Sequence, residues 1–199
     1  MGTSMTAALL AIPVFARGAK GVVVPAVTAV GLFAWLAAAV ATASTAAPHV
    51  AVAPAITLAL CALWLAVAPL RRAWDGASMV GLVALQVLRF SGGARMFAVE
   101  GGWLPERYGM IFGAADVVLA VVAVALAWAW SHGATWARRT TLGWAMSGVI
   151  LTVLGLVVQA RLVRPLPGFE GLWSAFLTPL LLALLVVTAS RARVARAAA

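Results

Sequence analysis

Apolar runs of about twenty residues, separated by short polar breaks, set the pattern of this chain. Six of them are close to the ~20 residues that a helix needs to cross ~30 Å of hydrocarbon. They fall at 21–42, 50–70, 78–99, 109–130, 141–160 and 171–190. The third is the least apolar. The pattern predicts an all-α, polytopic membrane protein, a bundle of six transmembrane helices over 21–190. Residues 1–20 differ: the stretch from Thr6 to Ala16 is apolar but too short to span, and Pro13 interrupts it. Arg17 and Lys20 follow that stretch, whereas a secretory signal carries its positive charge ahead of the apolar region. The segment therefore reads as an uncleaved amphipathic lead-in lying on the cytoplasmic membrane surface, and 191–199 as a basic cytoplasmic tail.

The cationic residues orient the bundle. Arg17, Lys20, Arg71, Arg72, Arg138, Arg139, Arg191, Arg193 and Arg196 fall on one side of the predicted topology, and Arg107, Arg161 and Arg164 on the other. Nine against three, alternating loop by loop, places both termini in the cytoplasm of a cell with an inner membrane. Trp103, Trp130, Trp136, Trp144 and Trp173 fall near predicted span ends, as an aromatic belt does.

Composition agrees: 65% of the 199 residues are hydrophobic and 10% are charged, far from the balance of a soluble domain. The net charge of +9 does not point to nucleic acid, because the arginines are short clusters at span ends rather than a stripe on a polar surface. The single cysteine, Cys61, sits in an apolar run and excludes an intramolecular disulfide. Pro25-Ala26, Thr28 and Trp35-Leu36-Ala37 recur as Pro54-Ala55, Thr57 and Trp64-Leu65-Ala66, which in a chain so rich in Ala and Val reads as coincidence rather than an inverted repeat.

Two opposite charges interrupt this picture. Arg89 and Asp116 each lie inside an apolar span, where a lone charge costs at least ~2.5–3.5 kcal/mol on insertion scales. Arg89 is expected ~16 Å in from one boundary and Asp116 ~10 Å in from the other, which brings them to similar depth. The short connection makes their helices antiparallel neighbours. Taken at helical spacing, Gln86, Arg89, Gly93, Met96 and Glu100 form one stripe, and Gly109, Gly113 and Asp116 another. Gly92, Gly93, Gly109 and Gly113 are the small residues that allow close helix packing there. A buried ion pair between Arg89 and Asp116 follows, with Gln86 nearby. It reads either as a clamp on the hairpin or as a site for a proton or polar ligand. Removing either partner is expected to destabilise, and exchanging the two to restore stability in part.

Most other polar chemistry gathers on the outer side. Arg95, Glu100, Glu106, Arg107, Gln159, Arg161, Arg164 and Glu170 crowd one end of the predicted bundle. They read as snorkelling and solvated charges, or as the mouth of an outward-facing pocket for an anionic or amphiphilic ligand, since arginine suits carboxylates and phosphates. No phosphate loop, metal-spaced Cys/His cluster or Ser/His/Asp arrangement is present. His49 and His132 fall on opposite sides of the membrane, so no shared haem, other cofactor or metal is expected.

The runs Gln86-Val-Leu-Arg89-x-x-Gly92-Gly93, Gly101-x-x-Leu104-Pro105 and Gly113-x-x-Asp116, with Phe176-Leu-Thr-Pro179-Leu180, resemble a broad family of uncharacterised bacterial six-helix integral membrane proteins. The resemblance covers about half the chain, from the third span to the sixth. It implies the architecture and the charged hairpin, not an activity. The chain departs from the pattern at Ala115, where the family tends to carry Gly, at Ala145 and Leu151, where Asn and Asp are often seen, and in lacking a His after Pro179-Leu180.

Three functions are compatible with these features. The leading one is binding or translocation of a small polar or amphiphilic solute at an outward-facing site above the ion pair, without catalysis, in a homodimer. The second is an accessory or scaffolding subunit of a larger membrane complex. The third is an intramembrane enzyme acting on a lipid or isoprenoid, with Glu100 or Asp116 as acid.

Overall fold

The computed structural model describes residues 59, 61–62, 66–68, 71, 76–102, 104–162 and 177–197. The lead-in, the span expected at 21–42 and most of that at 50–70 lie outside the described residues, as do Trp103, Arg164 and Glu170. Among the described residues every element is helical. Helix α1 runs Met79–Glu100 and helix α2 Glu106–Ser131. Helix α3 runs Thr135–Leu162 and helix α4 Thr178–Ala197. Among the described residues three helices, α1, α2 and the Thr135–Gln159 part of α3, are long and apolar enough to cross a membrane. The chain is a membrane protein.

Local chemistry explains where these helices start and stop. Ser78 caps α1, its Oγ accepting from the Gly81 N–H at 3.0 Å. At the other end the Gly102 N–H bonds the Val99 carbonyl, and Gly102 takes φ 71°, which glycine adopts without strain. Pro105 then opens α2, where its missing N–H costs nothing. Gly133, at φ 68°, makes the corresponding turn between α2 and α3. Both turns are short, so α1, α2 and α3 alternate in direction.

Helix α2 packs on α1 and on α3, and α4 packs on α3 and on α1. The four helices therefore close a ring. Its apolar centre includes Val83, Leu119, Ala123, Leu126, Trp144, Ala145 and Leu185. The Trp144 indole N–H reaches the Leu119 carbonyl at 3.1 Å, a partner its burial requires. At the far end of α4, Arg191 donates to the Ala77 carbonyl and ties that end to the start of α1. The segment expected as a basic tail is helical through Ala197, since Ala and Arg are both strong helix formers. The expected starts of α2 and α3 likewise move outward, so Arg107, Arg138 and Arg139 sit within the first five residues of helices rather than in loops.

Apolar side chains lie outside as well as inside, unlike in a soluble protein. Large apolar side chains such as Ile111, Val118 and Ile150 stand exposed, while Gln86, Arg89, Arg95, Asp116 and Gln159 are buried.

The middle of α1 is not α-helical. Leu85–Gly93, nine residues, winds as a 3₁₀ helix, well beyond the three or four residues such segments usually reach. Its burial has the matching period: Val83, Gln86, Arg89, Gly92 and Arg95 are all buried, one every three residues. This corrects the expected α-helical stripe, in which Gly93, Met96 and Glu100 continued from Arg89. Glu100 is exposed at the end of α1.

Candidate functional site: a two-arginine clamp in the helix ring

Arg89 lies at the midpoint of α1, ten residues from Met79 and eleven from Glu100. Its Nη1 donates to Asp116 Oδ1 at 2.5 Å and its Nη2 to Thr152 Oγ1 at 3.0 Å. Its Nε donates to Gln86 Oε1 at 2.9 Å, and Gln86 Nε2 in turn donates to the Leu181 carbonyl at 3.1 Å. One guanidinium is thereby joined to all four helices: to α1 and α4 through Gln86, to α2 through Asp116, and to α3 through Thr152. Thr152 is held in place by donating to the Gly148 carbonyl at 2.7 Å. A charge this deep is tolerated because its donors are directed at fixed acceptors.

Asp116 has a second cation. Arg95 Nη1 donates to its other oxygen, Oδ2, at 2.8 Å. The sequence grouped Arg95 with the polar residues at the outer end of the bundle rather than with Asp116. In a regular α-helix Arg89 and Arg95 would point ~120° apart, but 3₁₀ winding up to Gly93 narrows this to ~40°. The same winding eclipses Gln86 with Arg89, which suits their mutual hydrogen bond. The arrangement is thus a network of two arginines on one carboxylate rather than a single pair.

Glycines set the helix separation. A Cβ on Gly92 would lie 2.5 Å from Asp116 Cβ, and one on Gly113 would lie 2.8 Å from Met96 Cγ and 3.1 Å from the Gly92 carbonyl oxygen. A Cβ on Gly109 would strike Val99 and approach the Arg95 carbonyl oxygen at 2.9 Å. Gly93 is looser, its nearest neighbour being Val117 Cγ2 at 3.3 Å. Without side chains at Gly92, Gly109 and Gly113, α1 and α2 come close enough for both arginines to reach Asp116.

Beside the clamp lies a cavity of about 30 Å³, walled by Arg89, Arg95, Asp116, Thr152 and Gln159 with the Tyr108 ring. Two or so water-sized groups fit such a volume. Thr178, Ala115 and Leu151 also reach it. Of the residues expected to line a site, Gln159 and Arg95 are there, Gln86 stands behind Arg89, and Arg161 is exposed near the end of α3. Glu170 lies outside the described residues. Sequence reasoning missed Thr152 and Tyr108. Thr152 had a signal: it is seven residues, two helical turns, before Gln159, so the two share a face of α3.

No protein-family model, curated protein or solved structure matches this chain.

Proposed function

We propose that this is a multi-pass bacterial inner-membrane protein that binds or translocates a small polar or amphiphilic solute in the cavity beside Asp116. In this reading six helices span the membrane and both termini are cytoplasmic, as the Lys/Arg asymmetry requires. The cavity then faces the outer side, since it lies toward the end where α1 stops and α2 begins. The observation that carries the reading is the cavity itself. A clamp that served stability alone needs no space beside it, yet this one adjoins a void whose wall combines Arg89, Arg95, Thr152 and Gln159 with apolar Phe112, Leu151, Leu156 and Leu181. Intramembrane ionisable groups facing a bundle interior mark ligand or ion pathways. Membership of the six-helix family it resembles is part of the proposal, supported by the convergence of Arg89, Gly92, Gly113 and Asp116. Ala115 and Leu151, two positions where the chain departs from that pattern, both line the cavity, and at Leu151 an apolar side chain stands where a polar one is often seen, so the ligand of this chain differs from that of members polar there.

Native mass spectrometry of the full chain released from nanodiscs tests the proposal. A homo-oligomer that retains a small molecule supports it. A stoichiometric second protein with no retained ligand overturns it in favour of an accessory subunit.

A further inference from the structure

We infer that the solute is a small oxyanion, a carboxylate or nitrate-like group of about three or four heavy atoms, which competes with Asp116 for the two arginines. The inference rests on the reading of the cavity as a solute site and names the class that site takes.

Three observations carry it. First, the clamp already holds an oxyanion. The Asp116 carboxylate has one oxygen 2.5 Å from Arg89 Nη1 and the other 2.8 Å from Arg95 Nη1. Its planar, two-oxygen geometry is the one guanidinium groups are shaped to bind. Second, the cavity touches the same groups. Arg89 spends three of its five N–H donors on Gln86, Asp116 and Thr152, one from each nitrogen, which leaves one N–H on each Nη. An anion lying beside Asp116 has Arg89 and Arg95 on the same cavity wall, with Gln159, Tyr108 and apolar residues such as Phe112 and Leu156 on the others. Third, size and charge select. About 30 Å³ leaves no room for a whole sugar, amino acid or lipid headgroup inside the cavity, and a cation would have to lie against two guanidinium groups at a depth where charge repulsion is weakly screened.

Asp116 is then an internal surrogate. It keeps the arginines paired while the site is empty and yields part of its hold when an anion arrives. The other polar groups on the cavity wall it shares are Arg89 and Arg95 on α1, Tyr108 on its own helix, Thr152 and Gln159 on α3 and Thr178 on α4.

The test is ligand-dependent thermal unfolding of the full chain in phosphatidylcholine nanodiscs, so that no anionic lipid competes. Ionic strength is held constant with gluconate, which is too large for the cavity. The probes are acetate, its neutral isostere acetamide, and methylammonium. Acetate is expected to raise the melting temperature saturably, acetamide and methylammonium to leave it unmoved, and Arg95→Gln to abolish the acetate shift. In Asp116→Asn the half-saturating acetate concentration should fall at least tenfold, because the built-in competitor is neutral. Should that variant not fold, the acetate/acetamide pair and Arg95→Gln decide on their own, and an acetate shift surviving in Arg95→Gln overturns the inference. A shift with acetamide or methylammonium but not acetate overturns the oxyanion class and leaves the solute site standing. No shift with any probe in folded wild-type protein overturns both.

Discussion

Arg89 and Arg95, six residues apart on one helix, hold opposite oxygens of the Asp116 carboxylate at 2.5 and 2.8 Å. A regular α-helix cannot place them so; nine residues of 3₁₀ helix do. The hydrogen bonds gathered by Gln86, Arg89 and Arg95 offset the poorer backbone geometry of that winding.

The two arginines differ in weight. Arg89 binds acceptors on α1, α2 and α3, and its loss leaves Asp116, Gln86 and Thr152 each short of a partner. Arg89→Gln is expected to cost ~3–5 kcal/mol, the range for breaking a buried charge network, and Arg95→Gln clearly less. Unfolding midpoints in mild detergent check the order; equal losses would contradict it.

Exchanging the charges should not rescue. A lone pair would tolerate Arg89→Asp combined with Asp116→Arg, as the sequence led one to expect. In the network the new arginine at 116 faces Arg95, and the new aspartate at 89 loses the Gln86 and Thr152 geometry. The double variant is expected to fold no better than either single one, measured as monodisperse yield on size exclusion.

Tandem glycines report on the winding. In the 3₁₀ register Gly92 faces Asp116, and Gly93 faces only the tip of Val117. Gly92→Ala should therefore cost ~1–3 kcal/mol from overpacking, while Gly93→Ala stays within ~1 kcal/mol, since Ala is the better helix former. A larger loss at Gly93, read by thermal unfolding, would restore the α-helical register.

The Thr152 hydroxyl accepts from Arg89 and donates to Gly148. Thr152→Val keeps the shape and strips the acceptor from a buried guanidinium, for an expected loss of ~1–3 kcal/mol. A double-mutant cycle with Arg89→Gln should show strong coupling; additive losses would place Thr152 outside the network.

Glu100 supplies the contrast. It is exposed at the end of α1, away from the cavity. Glu100→Gln should change stability by less than ~0.5 kcal/mol and leave any acetate-dependent shift intact, which the same melting assay reads directly.

Much of this was open to a reader of the chain alone. Runs of twenty apolar residues have one low-energy solution in a bilayer, and α1 to α3 appear where those runs lie, with ends displaced by a turn or so because capping by Ser78, Gly102, Pro105 and Gly133 is local chemistry. Arg89 and Asp116 announced themselves by the cost of isolating charge in an apolar span. What the spacing did not reveal is the company they keep. Assuming 3.6 residues per turn, the pattern put Gly93, Met96 and Glu100 beside Arg89 and sent Arg95 elsewhere. The 3₁₀ register arises only once Gln86 finds the Leu181 carbonyl, Arg89 finds Thr152 and both arginines find Asp116. Those contacts span 21 to 95 residues along the chain. Their combined energy outweighs the local preference for an α-helix, so periodicity named the charged residues and tertiary packing chose which of them meet.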